Sequence, residues 1–180
     1  MFKDFDISSF KKMKPPGDNT FDTMQEIKAL KKIPIRKTFV KEFDDQESAF
    51  KKTAEREGIE DYDNSVVKKL IEKSAPVILK LKKYFDRPRP KVLAKKMNIK
   101  MKDIEMASMK TPSYPSGHST QGVLIGLVLS DKYPKAKSAF MKTANNISDS
   151  RNVAHAHYKS DSDMGKKLGK SMYNHIKNKI

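Results

Sequence analysis

The stretch Pro115-Ser-Gly-His-Ser-Thr-Gln-Gly-Val-Leu-Ile-Gly-Leu-Val-Leu-Ser130 decides how the rest of the chain is read. Pro-Ser-Gly is turn chemistry, and the residues after it form an apolar helix reaching about Ser130. The run from Gly122 to Leu129 is far short of the roughly 20 residues a bilayer span needs, so it is the core helix of a water-facing fold. Glycine at the helix start lets backbone approach an anion closely, and the free N–H groups there point at it. Ser116 adds a hydroxyl, and His118 sits at the rim, where it can protonate a leaving oxygen. Taken alone, the same residues also describe a turn and cap with an exposed histidine.

Outward from this helix the pattern stays helical. Pro134 opens a further helix to roughly Ser150, and a last one is expected from about Ser160 to Ile176. On the N-terminal side, Val66/Leu70, Val67/Ile71 and Val77/Leu81 repeat at i,i+4 between about Asn64 and Phe85. Pro76 reads there either as a kink or as the first residue of a new helix. Arg87-Pro-Arg-Pro90 ends the pattern, and residues from about 97 to 115 read as loop. Farther upstream, Met24, Ile27 and Leu30 share a helical face behind caps at Asp18 to Thr20. A helix from about Thr38 to Glu57 would turn Phe39, Phe43 and Phe50 inward and stop at Gly58. No β-period alternation and no repeat occur. The expected fold is all-α: a single-domain helical bundle, with residues 1–60 a helical extension packed on a core of residues 61–180.

A chain of 180 residues suits one domain with a real core. Cysteine is absent, which excludes disulfides and thiolate metal sites. The net charge of +16 calls for an anionic partner: phosphate compounds, nucleic acid or an anionic membrane surface. A lysine-rich solvated surface accounts for much of that excess. The acidic N-terminus lacks the apolar segment of a secretory signal, so a cytoplasmic protein is expected.

Three clusters carry chemistry: Lys82-Lys-Tyr-Phe-Asp-Arg-Pro-Arg89-Pro90, Tyr114-Pro-Ser-Gly-His118, and Ser150-Arg151 with His157-Tyr-Lys-Ser-Asp161. Phosphoryl transfer spreads negative charge over three equatorial oxygens. Lys82, Arg89 and Arg151 are the side-chain types that neutralise it, and guanidinium forks suit phosphate oxygens well. His157 and Asp161 stand at i,i+4, neighbours on one helical face. A carboxylate on one ring nitrogen fixes the tautomer and leaves the other free to attack phosphorus. The same pair also describes a helix-surface ion pair.

Together, Lys82-x6-Arg89-Pro90, Pro115-Ser-Gly-His118 and Ser150-Arg151-x5-His157-x3-Asp161 resemble the three-part signature of the type 2 phosphatidic acid phosphatase superfamily, which also contains vanadium haloperoxidases. Ser113-Tyr-Pro-Ser-Gly-His and His157-Tyr-Lys-Ser-Asp-Ser-Asp163 are most similar to the soluble bacterial class A nonspecific acid phosphatases. The resemblance runs from about Val77 to the C-terminus. It implies an all-helical fold and metal-independent hydrolysis of phosphate monoesters through a covalent phosphohistidine, without a cofactor. In its terms His157 is the nucleophile, Asp161 its orienter and His118 the general acid and then base. Lys82, Arg89, Ser116, Gly117 and Arg151 cradle the phosphate. A small phosphorylated substrate and a homodimer are the implied partners.

Two departures and one ambiguity accompany it. His155 stands where the family commonly has glycine, which puts a titratable ring near the pocket, with consequences for substrate shape or pH profile, or else toward solvent. The soluble acid phosphatases are typically exported, and no export signal is seen here. Lys80-x6-Arg87-Pro88 also satisfies the first motif, but Lys80 and Lys82 point about 200° apart on a helix, so only one faces the phosphate; Lys82 with Arg89 is the expected pair. Other readings are a lipid phosphate or polyprenyl diphosphate phosphatase, a vanadate-dependent haloperoxidase, and a basic nucleic-acid-binding protein with a vestigial site. Size disfavours the haloperoxidase, the absence of spanning segments disfavours the lipid readings, and a nucleic-acid partner is not expected. A metal held by His155, His157, Asp161 and Asp163 is opposed by the neighbouring arginines and by the divergence of residues at i and i+2.

Overall fold

The computed structural model describes residues 1–179, and within them every regular element is helical. In chain order the helices are α1 (Ser8–Lys11), α2 (Phe21–Lys31), α3 (Lys37–Asp44), α4 (Gln46–Arg56), α5 (Asn64–Phe85), α6 (Pro90–Lys96), α7 (Gly117–Lys132), α8 (Lys137–Val153) and α9 (Lys159–Ile176). Short 3-10 turns at Ala107–Lys110 and Pro134–Ala136 punctuate the connections. The chain is the all-α, single-domain bundle that its periodicity implies. No helix among the described residues is long and apolar enough to cross a membrane.

α7 is the axis of the bundle. It is buried nearly all round, with Leu124, Ile125 and Leu129 fully enclosed. α8 and α9 lie against it at very short range, because glycines carry the contacts. A Cβ on Gly126 of α7 would stand 3.0 Å from Ala144 Cβ of α8. On α9, Gly165 and Gly169 repeat at i,i+4 and place that helix directly on the backbone of Ser116 and Thr120. Phe43, Phe50 and Leu81 complete the same core with Phe140, Ile147 and Leu168, so N-terminal helices share it with the C-terminal ones.

Local chemistry explains the boundaries. Thr20 caps α2 by accepting from Thr23 N–H at 3.3 Å, and Asp63 caps α5 by accepting from Ser65 N–H at 2.9 Å. The single helix expected over Thr38 to Glu57 is two helices. Asp45 leaves helical geometry (φ −86°, ψ 102°), and its carboxylate accepts from Ser48 N–H at 3.1 Å, restarting the chain as α4. Gly58 stops α4 in the left-handed region (φ 67°). Pro76 neither ends α5 nor begins a new helix; α5 runs through it to Phe85. Asp86 then turns left-handed (φ 46°), and Pro90 opens α6 at its first position, a helix that the sequence pattern had not indicated.

Candidate active site

The site forms where the start of α7, the end of α5, the Arg87–Pro90 link and the α8–α9 connection meet. Lys82, Arg89, Gly117, His118 and His157 line one cleft of about 230 Å³. Its remaining wall includes Ala75, Ile78 and Leu79 of α5. Ser116, Arg151 and Asp161 stand behind these residues. Of the two candidate lysines, Lys82 is buried against the cleft and Lys80 is exposed on the far side of α5.

His157 is not helical. It lies in the bend before α9, and Asp161 is in the first turn of that helix, so the pair meets across a helix start and not along one helical face. His157 Nδ1 donates to Asp161 Oδ2 at 2.8 Å, and Arg89 Nη1 lies 3.0 Å from Nε2. A carboxylate only accepts and a guanidinium only donates. The imidazole therefore carries its hydrogen on Nδ1, and the lone pair of Nε2 faces the cleft beside Arg89. Burial, opposed by the hydrogen bond to Asp161 and reinforced by Arg89, pushes His157 down to about 3. For Asp161, burial pulls upward, but the hydrogen bond from His157, the charge of Arg87 and the hydroxyl of Ser113 hold the carboxyl below its usual range.

The cations are held from behind by backbone oxygens. Arg89 Nε donates to Thr111 O at 2.9 Å, Nη2 to Ser108 O at 2.9 Å and Nη1 to Ala156 O at 3.0 Å. Lys82 Nζ donates to Pro112 O at 2.6 Å. The loop from Ser108 to Pro112 thus fixes both side chains without neutralising them. Burial, then the neighbouring Arg89, lowers Lys82 to about 7, and burial first lowers Arg89 to about 10. Ser116 is the N-cap of α7, its Oγ accepting from Ser119 N–H at 3.2 Å. Gly117 comes next, and a Cβ there would meet Lys82 Cε at 3.9 Å.

His118 and Arg151 share a partner that the sequence motifs did not reveal. His118 Nε2–H donates to the backbone carbonyl of Asp44 at 2.9 Å, and the Asp44 carboxylate is 3.7 Å from the same nitrogen. That carboxylate also accepts from Arg151 Nη1 at 2.9 Å. Arg151 is 1% exposed, and its Nη2 makes no hydrogen bond to a described residue, although it is buried. Such a donor is costly to leave unpaired, and it suits an anion. Burial, then the charge of Arg151, depresses His118 to about 4. Asp44 sits at the end of α3, and nothing in its local sequence marks it as a site residue.

His155 neither faces the cleft nor points to solvent. It is buried, with Nδ1 2.9 Å from Lys102 O and Nε2 2.7 Å from Ile33 O. Its φ of 57° is left-handed, which accounts for a family preference for glycine at this position. Asp163 pairs with Lys159 at 2.6 Å on the exposed face of α9. His155, His157, Asp161 and Asp163 therefore do not converge as metal ligands.

A capped helix start, buried cations and a histidine–aspartate pair meet at one cleft of an all-α protein. Residues 70–174 match the PAP2 superfamily, and the chain belongs to it. It is 38% identical to the non-specific acid phosphatase of Salmonella typhimurium over 88 residues, which make up 49% of this chain and 35% of that protein. Against the non-specific acid phosphatase of Salmonella typhi the identity is 36% over 88 residues, with the same shares. The match thus spans about a third of the length of these relatives, 35%.

Proposed function

We propose that this protein hydrolyses phosphate monoesters of small organic molecules in two steps through a phosphohistidine on His157. The observation that carries this reading is the His157 tautomer: Nδ1–H on Asp161, with the Nε2 lone pair beside Arg89 in a cleft lined by Lys82 and the start of α7. Arg89, Lys82 and the N–H groups of Gly117 and His118 bind the phosphoryl oxygens, and Arg151 adds the unpaired Nη2. Ser116 holds the helix start in place. Nε2 forms the bond to phosphorus as the ester oxygen leaves, taking a proton from His118. A water then attacks phosphorus on the opposite side from Nε2, gives its proton to His118, and the P–N bond breaks to release phosphate. With Nε2–H fixed on the Asp44 carbonyl, Nδ1 of His118 is the nitrogen that exchanges the proton.

The names of the Salmonella relatives and the family match support this reading. The Ala75–Ile78–Leu79 wall suits an apolar portion of the leaving group, which keeps lipid phosphates as a second reading. Residues 1–60 serve as an extension packed on the 61–180 core, supported by the apolar cluster that both share. The test is turnover of para-nitrophenyl phosphate by the purified protein and by His157→Ala, with an alkaline denaturing quench to trap a phosphoenzyme that survives alkali and is lost in acid. Vanadate, which mimics the transition-state geometry, should inhibit. Undiminished turnover in His157→Ala would refute the mechanism, and a substrate panel including short-chain lipid phosphates separates the two substrate readings.

A further inference from the structure

The first Arg-Pro of Arg87-Pro-Arg-Pro90 has no place in the phosphate cradle, yet its arginine is 1% exposed. Arg87 Nη1 donates to Asp161 Oδ1 at 2.8 Å and to Ser160 Oγ at 2.8 Å. Nη2 donates to Glu26 Oε2 at 3.0 Å, and the guanidinium lies 3.7 Å from the centroid of the Tyr158 ring. Glu26, from α2, also accepts from Ser160 N–H and from the Ser160 hydroxyl, each at 2.8 Å. The Asp161 carboxylate is thus divided: Oδ2 serves His157 and Oδ1 serves Arg87. A buried charge pair is costly, all the more as Arg87 Nε makes no hydrogen bond to a described residue, and Arg87 lines no part of the cleft, so its role lies in what it does to Asp161.

We propose that Arg87, anchored by Glu26, is a positioning residue for the nucleophile: it shares the Asp161 carboxylate with His157 and thereby keeps His157 neutral at acidic pH. This deepens the phosphohistidine reading and rests on it. An aspartate wholly at the disposal of an imidazole favours the imidazolium, whose Nε2–H cannot attack phosphorus. Arg87 offsets the charge of Asp161 yet leaves Oδ2 to accept from Nδ1–H. The other groups facing the pair act in the same sense. Arg89 and Lys82 oppose a proton on His157 from the cleft side. The Ser113 hydroxyl and Tyr158 N–H donate to Oδ2, the latter at 3.2 Å, which weakens its pull on the imidazole. Burial works against Arg87 carrying charge, but Asp161 and Glu26 outweigh it and hold its pKa above the usual value.

The test is kcat and KM against pH on para-nitrophenyl phosphate for Arg87→Gln, Arg87→Lys and Glu26→Gln, with His157→Ala and thermal unfolding alongside. Arg87→Gln should lower kcat about tenfold or more with KM nearly unchanged, and move the acid limb of kcat upward by about one unit. Arg87→Lys should restore most of both, and Glu26→Gln, which removes the acid opposing Arg87 and leaves it on Asp161, should move the limb the other way by less. An acid limb that stays in place in Arg87→Gln and Glu26→Gln, with His157→Ala inactive, would overturn the proposal alone, because a purely structural role lowers activity equally at every pH. A raised KM with intact kcat would also overturn it, since that places Arg87 on the phosphate. Turnover surviving in His157→Ala would sink the phosphohistidine reading and this proposal with it. Should Arg87→Gln fail to fold, Glu26→Gln decides, because it leaves Arg87 paired with Asp161.

Discussion

Gly165→Ala tests how the fold holds the site. A Cβ there would lie 2.6 Å from the carbonyl oxygen of Ser116 and 2.9 Å from Ser119 Cβ. Ordinary contact begins near 3.4 Å, so α9 and the start of α7 must separate by somewhat under 1 Å. Backbone takes up this displacement, since the first obstacle is a main-chain oxygen. Overpacking of this kind costs about 1–3 kcal/mol, and a shift of about 2–4 °C in Tm accompanies each kcal/mol in a chain of this size. The displaced group is Ser116, the cap residue of α7, whose first turn brings Gly117 and His118 to the cleft. A misplacement of about 1 Å in a positioning element costs on the order of a hundredfold in rate. Gly169→Ala is the control: its Cβ would press on the Thr120 carbonyl still more closely, one helical turn farther from the site. Thermal unfolding and steady-state kinetics on both variants should show comparable destabilisation, with the large loss of kcat confined to Gly165→Ala. Equal kcat loss in both, or a Gly165→Ala protein with wild-type Tm and rate, would refute this coupling of packing to rate.

Lys82→Ala should remove most turnover and Lys80→Ala should leave it nearly intact, as initial rates will show; the reverse places the wrong lysine at the phosphate. The profile of kcat/KM against pH should be an acidic bell. His157 must be neutral, which holds above about 3, and His118 must be charged, which holds below about 4, so both limbs fall below the ordinary imidazole range. Bound phosphate raises both, and the kcat profile should therefore sit at higher pH. Asp44→Asn should move the alkaline limb further down, by less than about one unit because the carboxylate is half-exposed, and should tighten orthophosphate inhibition by freeing Arg151. An unmoved limb with unchanged inhibition would show that Asp44 only caps the structure.

Most of this architecture could be read from spacing. The apolar face of α5 and the turn before α7 each come from periodicity and helix-start chemistry; helical geometry admitted only one of Lys82 and Lys80, and the resemblance to sequences that use the later Arg-Pro selected Lys82. The break at Asp45 was not legible from hydrophobic spacing, because Phe39, Phe43 and Phe50 fit one helix as well as two. Its signal was a second capping residue within the run, Asp45 with Ser48 three positions later. Within the site, the residues between 82 and 161 announced themselves through their motifs. Glu26 and Asp44 did not, since they reach Arg87 and Arg151 across 61 and 107 positions with no local pattern. His155 misled for another reason: side-chain chemistry suggested a role, whereas its backbone conformation determined where the ring went.

The placement of Glu26 and Asp44 bears on how much of the polypeptide the pocket requires. The stretch that matches its family runs over residues 70–174, and all the motif residues lie inside it. A protein trimmed to that stretch, or a chimera that transplants it onto a foreign leader, keeps every recognisable motif and discards both carboxylates. Arg151, almost wholly enclosed, would then be left an uncompensated charge, and Arg87 would keep Asp161 alone, beneath an apparently intact pocket. The inherited unit and the working unit are different lengths of the same polypeptide.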